Sequence, residues 1–466
     1  MTDTNWTPDL TAFPGPKYLG LSRALREAIR AGELAPGARL PPVRELAWAI
    51  GVTPGTVARA YQQATQEGLL AATVGRGTFV ATATPRLGPT QPLHVERPRD
   101  VAGHVNMRSP TLPEIGQAPA FAAALDRIGR GISVAWHDYP SQTEEAPLRR
   151  AVCDWLSDRA LGPLDAEDVA LTLGGQNAIS LIFLCCLRGD RPVVLTEDLS
   201  YPGFRHAARL ARAEVIGVET DREGMVPDAL EAACRRHGAQ VLCLTAEAQN
   251  PTTARLTPAR REAIVAIARR YDLQVIDDDC YALSVSDLPS LRAMAPERCW
   301  HVGSWSKSIS PALRFGYIAC PRGLGQSGRL TAQHSFFALP RPLTELALDL
   351  LESGEARRLR ALVQDEQERR LAAVVAALQG QDLAWRPGVQ FLYLRLRPGW
   401  QASAFARAAE AEGVFLRPAD EFAAPGIRAP NAVRLALAGR APWPDFTAAL
   451  DRVARLLQRP PQEAAV

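Results

Sequence analysis

The chain has 466 residues, 47% of them hydrophobic and 22% charged, with a formal net charge of +3. These values suit two or three folded units and exclude wholesale disorder and a uniformly cationic coat for nucleic acid. Eight cysteines without C-x-x-C spacing, no basic start followed by an apolar core in the first thirty residues, and no apolar run of about 18 residues lead us to expect reduced thiols and a cytoplasmic protein with no membrane span.

Residues 17–30, KYLGLSRALREAIR, place Leu21, Leu25 and Ile29 at helical spacing. Two shorter helices follow in PVRELAWAIG and PGTVARAYQQATQEG, closed by Gly51 and Gly68, which is the helix-turn-helix pattern. LLAATV and GTFVATA then read as a β-hairpin around Gly75-Arg76-Gly77. A helix, a helix-turn-helix and a basic hairpin together predict a winged helix-turn-helix, although small bundles of this kind also serve as docking modules. The words LPPVRELAWAIGVTPGTVARAYQQATQEGLLAATVGRGTFV closely resemble the DNA-binding domain of the GntR family of bacterial regulators over residues 16–80. The resemblance implies double-stranded operator DNA as a partner, contacted by Arg44 and by Thr53 and Thr56 at the mouth of the third helix. Arg59 and Arg76 are further candidates, each equally readable as a solvated surface arginine. Pro54 replaces an arginine frequent in that family, so base readout must differ.

Residues 83–103 are rich in proline and mixed charge, the composition of a linker. Beyond them, strand-like runs (VALTL, PVVLT, AEVIGV, QVLCLT, LQVIDDD) alternate with helical stretches. That alternation predicts an α/β domain with a mainly parallel sheet, followed by a smaller C-terminal lobe containing FLYLRLR and AVRLALAG. The expected domains are therefore 1–82, a linker at 83–103, and 104–466.

Ligands of parallel α/β sheets bind at the carboxyl ends of the strands. There the sequence places Gly174-Gly175-Gln176, Tyr201, Asn250-Pro251-Thr252, the triplet Asp277-Asp278-Asp279 with Tyr281, and Lys307. Each is weak evidence singly; three consecutive carboxylates, for instance, usually mark a solvated edge or a metal site. Lys307 is one of only two lysines among 53 Lys and Arg residues. Unlike arginine, lysine can act as a neutral amine nucleophile.

In this order, and above all in the S-x-S-K-x-x-x-P-x-x-R-x-G-Y pattern of SWSKSISPALRFGY, these features resemble the fold type I aminotransferases that use pyridoxal 5′-phosphate. A GntR-type winged helix joined to such a domain is similar to the MocR subfamily. The resemblance implies that Lys307 holds the cofactor aldehyde as an imine and that Asp278 faces the ring nitrogen. Asn250 and Tyr281 would bond the ring oxygen, and Tyr201 would stack on the ring. Gly175, Gln176, Ser304, Ser306 and Arg314 would hold the phosphate. Tyr139 would reach the phosphate of a neighbouring subunit, implying a homodimer, and Arg434 would clamp the carboxylate of an amino-acid ligand, unless it is a surface arginine. No metal is expected. Thr253, Cys280 and the segment Tyr139–Glu144 depart from the family pattern, and Glu144 would bring a charge near the dimer seam. The expected function is a regulator sensing an amino acid, an amine or the cofactor itself; the alternative is a working aminotransferase with a DNA-binding appendage.

Overall fold

The structure, a computed structural model, describes residues 6–13, 15–73, 77–81, 103–281 and 283–459. They form two compact units, within residues 1–92 and 93–466.

The first unit holds helices α1 (Lys17–Arg30), α2 (Val43–Ala49) and α3 (Pro54–Gln66), then strands β1 (Leu70–Thr73) and β2 (Gly77–Val80). The spacing of Leu21, Leu25 and Ala28 gives α1 one apolar face, packed on Leu46, Val57, Ala60 and Tyr61. Thr53 caps α3 by accepting from the Thr56 amide at 3.3 Å, with Pro54 at the first helical position. A paired ion contact, Arg26 to Glu67 at 2.7 Å, ties α1 to the end of α3. Strands β1 and β2 are antiparallel, from Leu70 opposite Val80 to Thr73 opposite Gly77. The tip between them, with Arg76, and the linker segment 83–102 lie outside the described residues.

The second unit opens with β3 (Val105–Asn106), α4 (Gln117–Gly129) and α5 (Gln142–Trp155). Alternation follows: β4 (Val169–Thr172), α6 (Gly175–Cys186), β5 (Val193–Glu197), α7 (Pro202–Leu210) and β6 (Glu214–Val218). A hairpin of β7 (Thr220–Asp221) and β8 (Gly224–Met225) leads to α8 (Pro227–His237), β9 (Val241–Leu244), α9 (Pro258–Arg270) and β10 (Gln274–Asp278). The one-turn α10 (Leu291–Met294), β11 (Cys299–Ser304) and β12 (Gly316–Ala319) complete the series. Helices α11 (Gly325–Phe336), α12 (Arg341–Glu352) and α13 (Glu355–Ala377) then reach a small lobe. That lobe contains β13 (Asp382–Ala384), β14 (Phe391–Arg395), α14 (Ala402–Ala411), β15 (Val414–Phe415), β16 (Arg417–Pro418), β17 (Ala432–Ala436) and α15 (Trp443–Gln458).

The large sheet has the order β4-β12-β11-β10-β9-β5-β6, parallel except for β12. All its strands but the edge strand β6 are buried on both faces, as parallel sheets covered by helices require. One face packs Phe183 and Phe204 on Cys243, Ile276 and Val302; the other packs Leu230 and Ile264 on Leu242, Leu244 and Val275. Each such fully buried side chain contributes about 1.5–3 kcal/mol.

The small antiparallel sheet, β13-β14-β17-β16, faces a core of its own. Strand period two sends Leu392, Leu394, Val433 and Leu435 into that core. The same period sends Arg434 to the opposite face.

Glu144 closes a capping box: Ser141 Oγ accepts from the Glu144 amide at 3.2 Å and Glu144 accepts from the Ser141 amide at 2.8 Å. Arg341, 2.7 Å away, and the Ser141 amide hold its carboxyl down at about 2. Its stabilising contribution is complete above its ordinary value of 4.5 and is lost as pH falls through about 2. Ser141→Ala is expected to cost about 1 kcal/mol, read as a fall of about 2 °C in thermal melting.

Candidate functional site

Strands β4, β5, β9, β10 and β11 all end at one edge of the large sheet, where a cavity of about 850 Å³ opens. Strand β12 runs the other way, so its beginning lies at that edge: Gly316 sits opposite both Ser304 and Thr172. This reversal carries Arg314 to the ends of β4 and β11. Gly175, Gln176, Tyr201, Asp278 and Tyr281 border the cavity, as do Ser304, Ser306, Lys307, Arg314 and Arg434. The structure therefore brings together ten residues that the sequence marks at scattered positions.

At one end is an anion cradle. Gly174 adopts φ +85° and α6 starts behind it with no side-chain cap, so its first amides remain available to an anion. A Cβ at Gly174 would lie 2.5 Å from Arg314 Nη2, and one at Gly175 2.8 Å from Cys280 Sγ. Arg314, itself at φ +53°, donates to Ser306 Oγ at 3.3 Å and to the Leu173 carbonyl at 3.1 Å. A non-glycine residue in the left-handed region is strained by about 1–3 kcal/mol, a cost found where function holds a side chain in place. Gln176 donates to the Gly203 carbonyl at 3.0 Å, while its Oε1 is buried without a hydrogen-bond partner among the described residues.

Asp278 lies at the end of β10, only 3% exposed, and accepts from the Cys280 amide at 3.1 Å. Burial pushes its carboxyl above the ordinary value. The carboxylate triplet is thus not a solvated edge. Asp277 and Asp279 lie beside His301, at 3.9 and 3.8 Å, and Arg159 approaches Asp279 at 3.6 Å. Burial raises Asp279 to about 6. Lys307 Nζ donates to the Pro110 carbonyl at 3.2 Å and stands 5.8 Å from the centre of the Tyr281 ring.

Arg434 is no surface arginine: it is 1% exposed, donating to Asn250 Oδ1 at 2.7 Å and to the Arg108 carbonyl. Burial, and Arg417 beside it, push it down to about 9, which leaves it cationic at pH 7. Its Nε and the Nδ2 of Asn250 are buried without hydrogen-bond partners among the described residues.

Tyr139 is not brought into the cavity of its own chain. It is 79% exposed and stacks on Phe337, ring centres 5.3 Å apart. Arg108, Arg417 and Glu421 also border the cavity, and sequence reasoning missed them. Arg108 follows the linker with no motif around it. The one available signal for Arg417 is its place on an alternating strand paired to the one that carries Arg434. In the first unit Arg44 and Thr53 are exposed and Thr56 half-buried, whereas the Arg59 guanidinium lies 4.1 Å over the Tyr18 ring, bracing α3 on α1.

Residues 109–442 match the family described as aminotransferase class I and II, and residues 17–80 match the bacterial regulatory proteins of the gntR family. The chain belongs to the class I and II aminotransferases and, with its GntR domain, to the MocR subfamily of regulators. Among its relatives, the HTH-type transcriptional regulator TauR of Rhodobacter capsulatus is 29% identical over 94% of this MocR-type chain and 96% of its own. An uncharacterized HTH-type transcriptional regulator of Bacillus subtilis, YdeF, is 29% identical over 68% of each chain. Among solved structures, the α-aminoadipate aminotransferase LysN of Thermus thermophilus is 27% identical with a TM-score of 0.67, covering 77% of the MocR-type chain and 92% of its own. That enzyme was crystallised with N-(5′-phosphopyridoxyl)-L-leucine. No helix among the described residues is long and apolar enough to cross a membrane.

Proposed function

We propose that this MocR-type regulator binds pyridoxal 5′-phosphate in the cavity and uses it to sense an amino acid or amine, acting as a homodimer on operator DNA. The observation that carries the reading is one cavity holding a lysine, a buried carboxylate and an anion cradle, in a chain that also has a GntR domain. The residues fit the cofactor. The uncapped start of α6, Ser304, Ser306 and Arg314 suit its phosphate. Asp278, destabilised by burial, gains from a protonated ring nitrogen opposite it. The unpartnered Nδ2 of Asn250 supplies a donor for the ring oxygen, Tyr281 a second, and Tyr201 a stacking face.

When bound, the cofactor supplies an aldehyde that reacts with amines and a ring that accepts electrons. Lys307 is the amine placed to hold it, and Arg434, fixed by Asn250 and the Arg108 carbonyl, is placed to hold the carboxylate of an incoming amino acid. Tyr139, exposed on its own chain, is available to a second copy. Arg44, Thr53 and Thr56 offer the DNA contacts, and Arg76 is retained as the wing contact. The sensory and DNA-binding regions proposed are 104–466 and 1–82, joined through 83–103.

Sensing and transamination begin with the same residues, so aminotransferase activity is a second reading. Protein loaded with the cofactor is expected to bind the DNA upstream of the operon it regulates, with an affinity that changes when the correct amino acid or amine is added. Turnover of amino-acid and keto-acid pairs at ordinary enzyme rates, with no affinity for that DNA, would establish the enzyme instead.

A further inference from the structure

Two guanidinium groups oppose each other across the small sheet. Arg417 on β16 is the direct cross-strand partner of Arg434 on β17, and both border the cavity. Like charges in that position destabilise a sheet unless something lies between them. Both also rest on the ring of Phe422, at 4.6 and 4.9 Å, which fixes them on one side of the lobe.

Their hydrogen bonds differ. Arg434 is tied to Asn250 and to the Arg108 carbonyl. Arg417 donates only through Nε, to Glu421 at 2.8 Å; its two terminal nitrogens have no hydrogen-bond partner among the described residues. Glu421 also accepts from Arg108 at 2.5 Å, and the other terminal nitrogen of Arg108 is used by the Leu416 carbonyl at 3.0 Å. One carboxylate therefore serves two guanidiniums. A positive charge with an open planar fork is left at this end of the cavity, separate from Arg434 and from the anion cradle, which belongs to the large sheet.

We propose that the ligand of this site is an acidic amino acid, whose second carboxylate is received by the open fork of Arg417. The inference rests on the sensing role proposed above and adds the class of ligand. Arg108 and Glu421 are positioning residues: they hold Arg417 by its Nε and leave its terminal nitrogens to the ligand. Neutral amino acids and simple amines would leave the terminal nitrogens of Arg417 without an anionic acceptor, its one carboxylate partner, Glu421, being shared with Arg108.

The test compares L-glutamate and L-aspartate with their isosteric amides, L-glutamine and L-asparagine, on the full chain loaded with pyridoxal 5′-phosphate. Calorimetry and the visible spectrum of the bound cofactor are read in parallel. At least one acid is expected to bind about tenfold or more tightly than its amide, the gain of a charge-assisted pair over a neutral contact. Arg417→Gln is expected to bring that ratio to within about twofold, the acid losing more affinity than the amide. Arg417→Lys keeps the charge without the fork and should retain part of the preference, so it serves if the glutamine variant folds poorly. Equal binding of acid and amide by the wild type, no binding of any of the four, or an unmoved ratio in Arg417→Gln overturns the proposal. Failure of the protein to take up the cofactor refutes the sensing role separately, because calorimetry still reports the acid-to-amide ratio.

Discussion

Lys307→Ala is expected to abolish the visible absorption of protein incubated with pyridoxal 5′-phosphate and to let the cofactor wash out during gel filtration. Only an unprotonated amine can form the covalent link, and the other lysine, Lys17, belongs to the first helix of the other unit. The anion cradle and Asp278 would still attract the free cofactor, but through hydrogen bonds and charge alone. Lys307→Arg separates the two roles of the side chain: it restores the positive charge, cannot supply a neutral amine, and should also be colourless. The fold should be little affected, because Lys307 is only half-buried and its ammonium donates to a backbone carbonyl, that of Pro110, at the rim of the cavity. Melting within about 2 °C of wild type is expected. A colourless Lys307→Ala protein that melts normally supports the assignment; a retained visible band refutes it.

The second large effect belongs to the first unit. Arg44 is exposed at the start of α2, and in helix-turn-helix proteins generally the first helix of the motif crosses the phosphate backbone while the second enters the major groove. Arg44→Ala is expected to weaken binding to the operator and to unrelated duplexes alike, by about tenfold at low salt. It should also lower the slope of log K against log salt by about one. Thr56→Ala offers a cleaner comparison than Thr53→Ala, because Thr53 also caps α3 and its loss would mix folding with binding. Gel-shift or anisotropy titrations at several salt concentrations measure both quantities. An unchanged slope in Arg44→Ala would remove α2 from the DNA interface.

Much of this molecule is legible in its sequence. Helix α1 spans the 17–30 segment that apolar spacing marks, and the runs VALT, VVLTE, VLCL and QVIDD are strands of the large sheet. Burial on both faces makes such strands continuous apolar runs, which composition alone reveals. The flanks of Lys307 are legible for a different reason: they carry serines and an arginine, side chains whose donors suit an anion. Thr253 shows the limit of motif reading. It replaces an expected glycine yet keeps the left-handed backbone, φ +65°, while 3% exposed.

The sequence by itself determined the kinds of element, their order, the glycine turn before α6, and the chemical types of side chain available at strand ends, because these depend on local periodicity and on residue chemistry. The tertiary structure alone decided which of those side chains meet. The antiparallel course of β12 places Arg314 at the cradle, packing buries Asp277 and Asp278 and the side chain of Asp279, and the register of β16 on β17 sets Arg417 opposite Arg434. Such pairings depend on strand direction and on contacts between segments far apart in the chain, which no local pattern encodes.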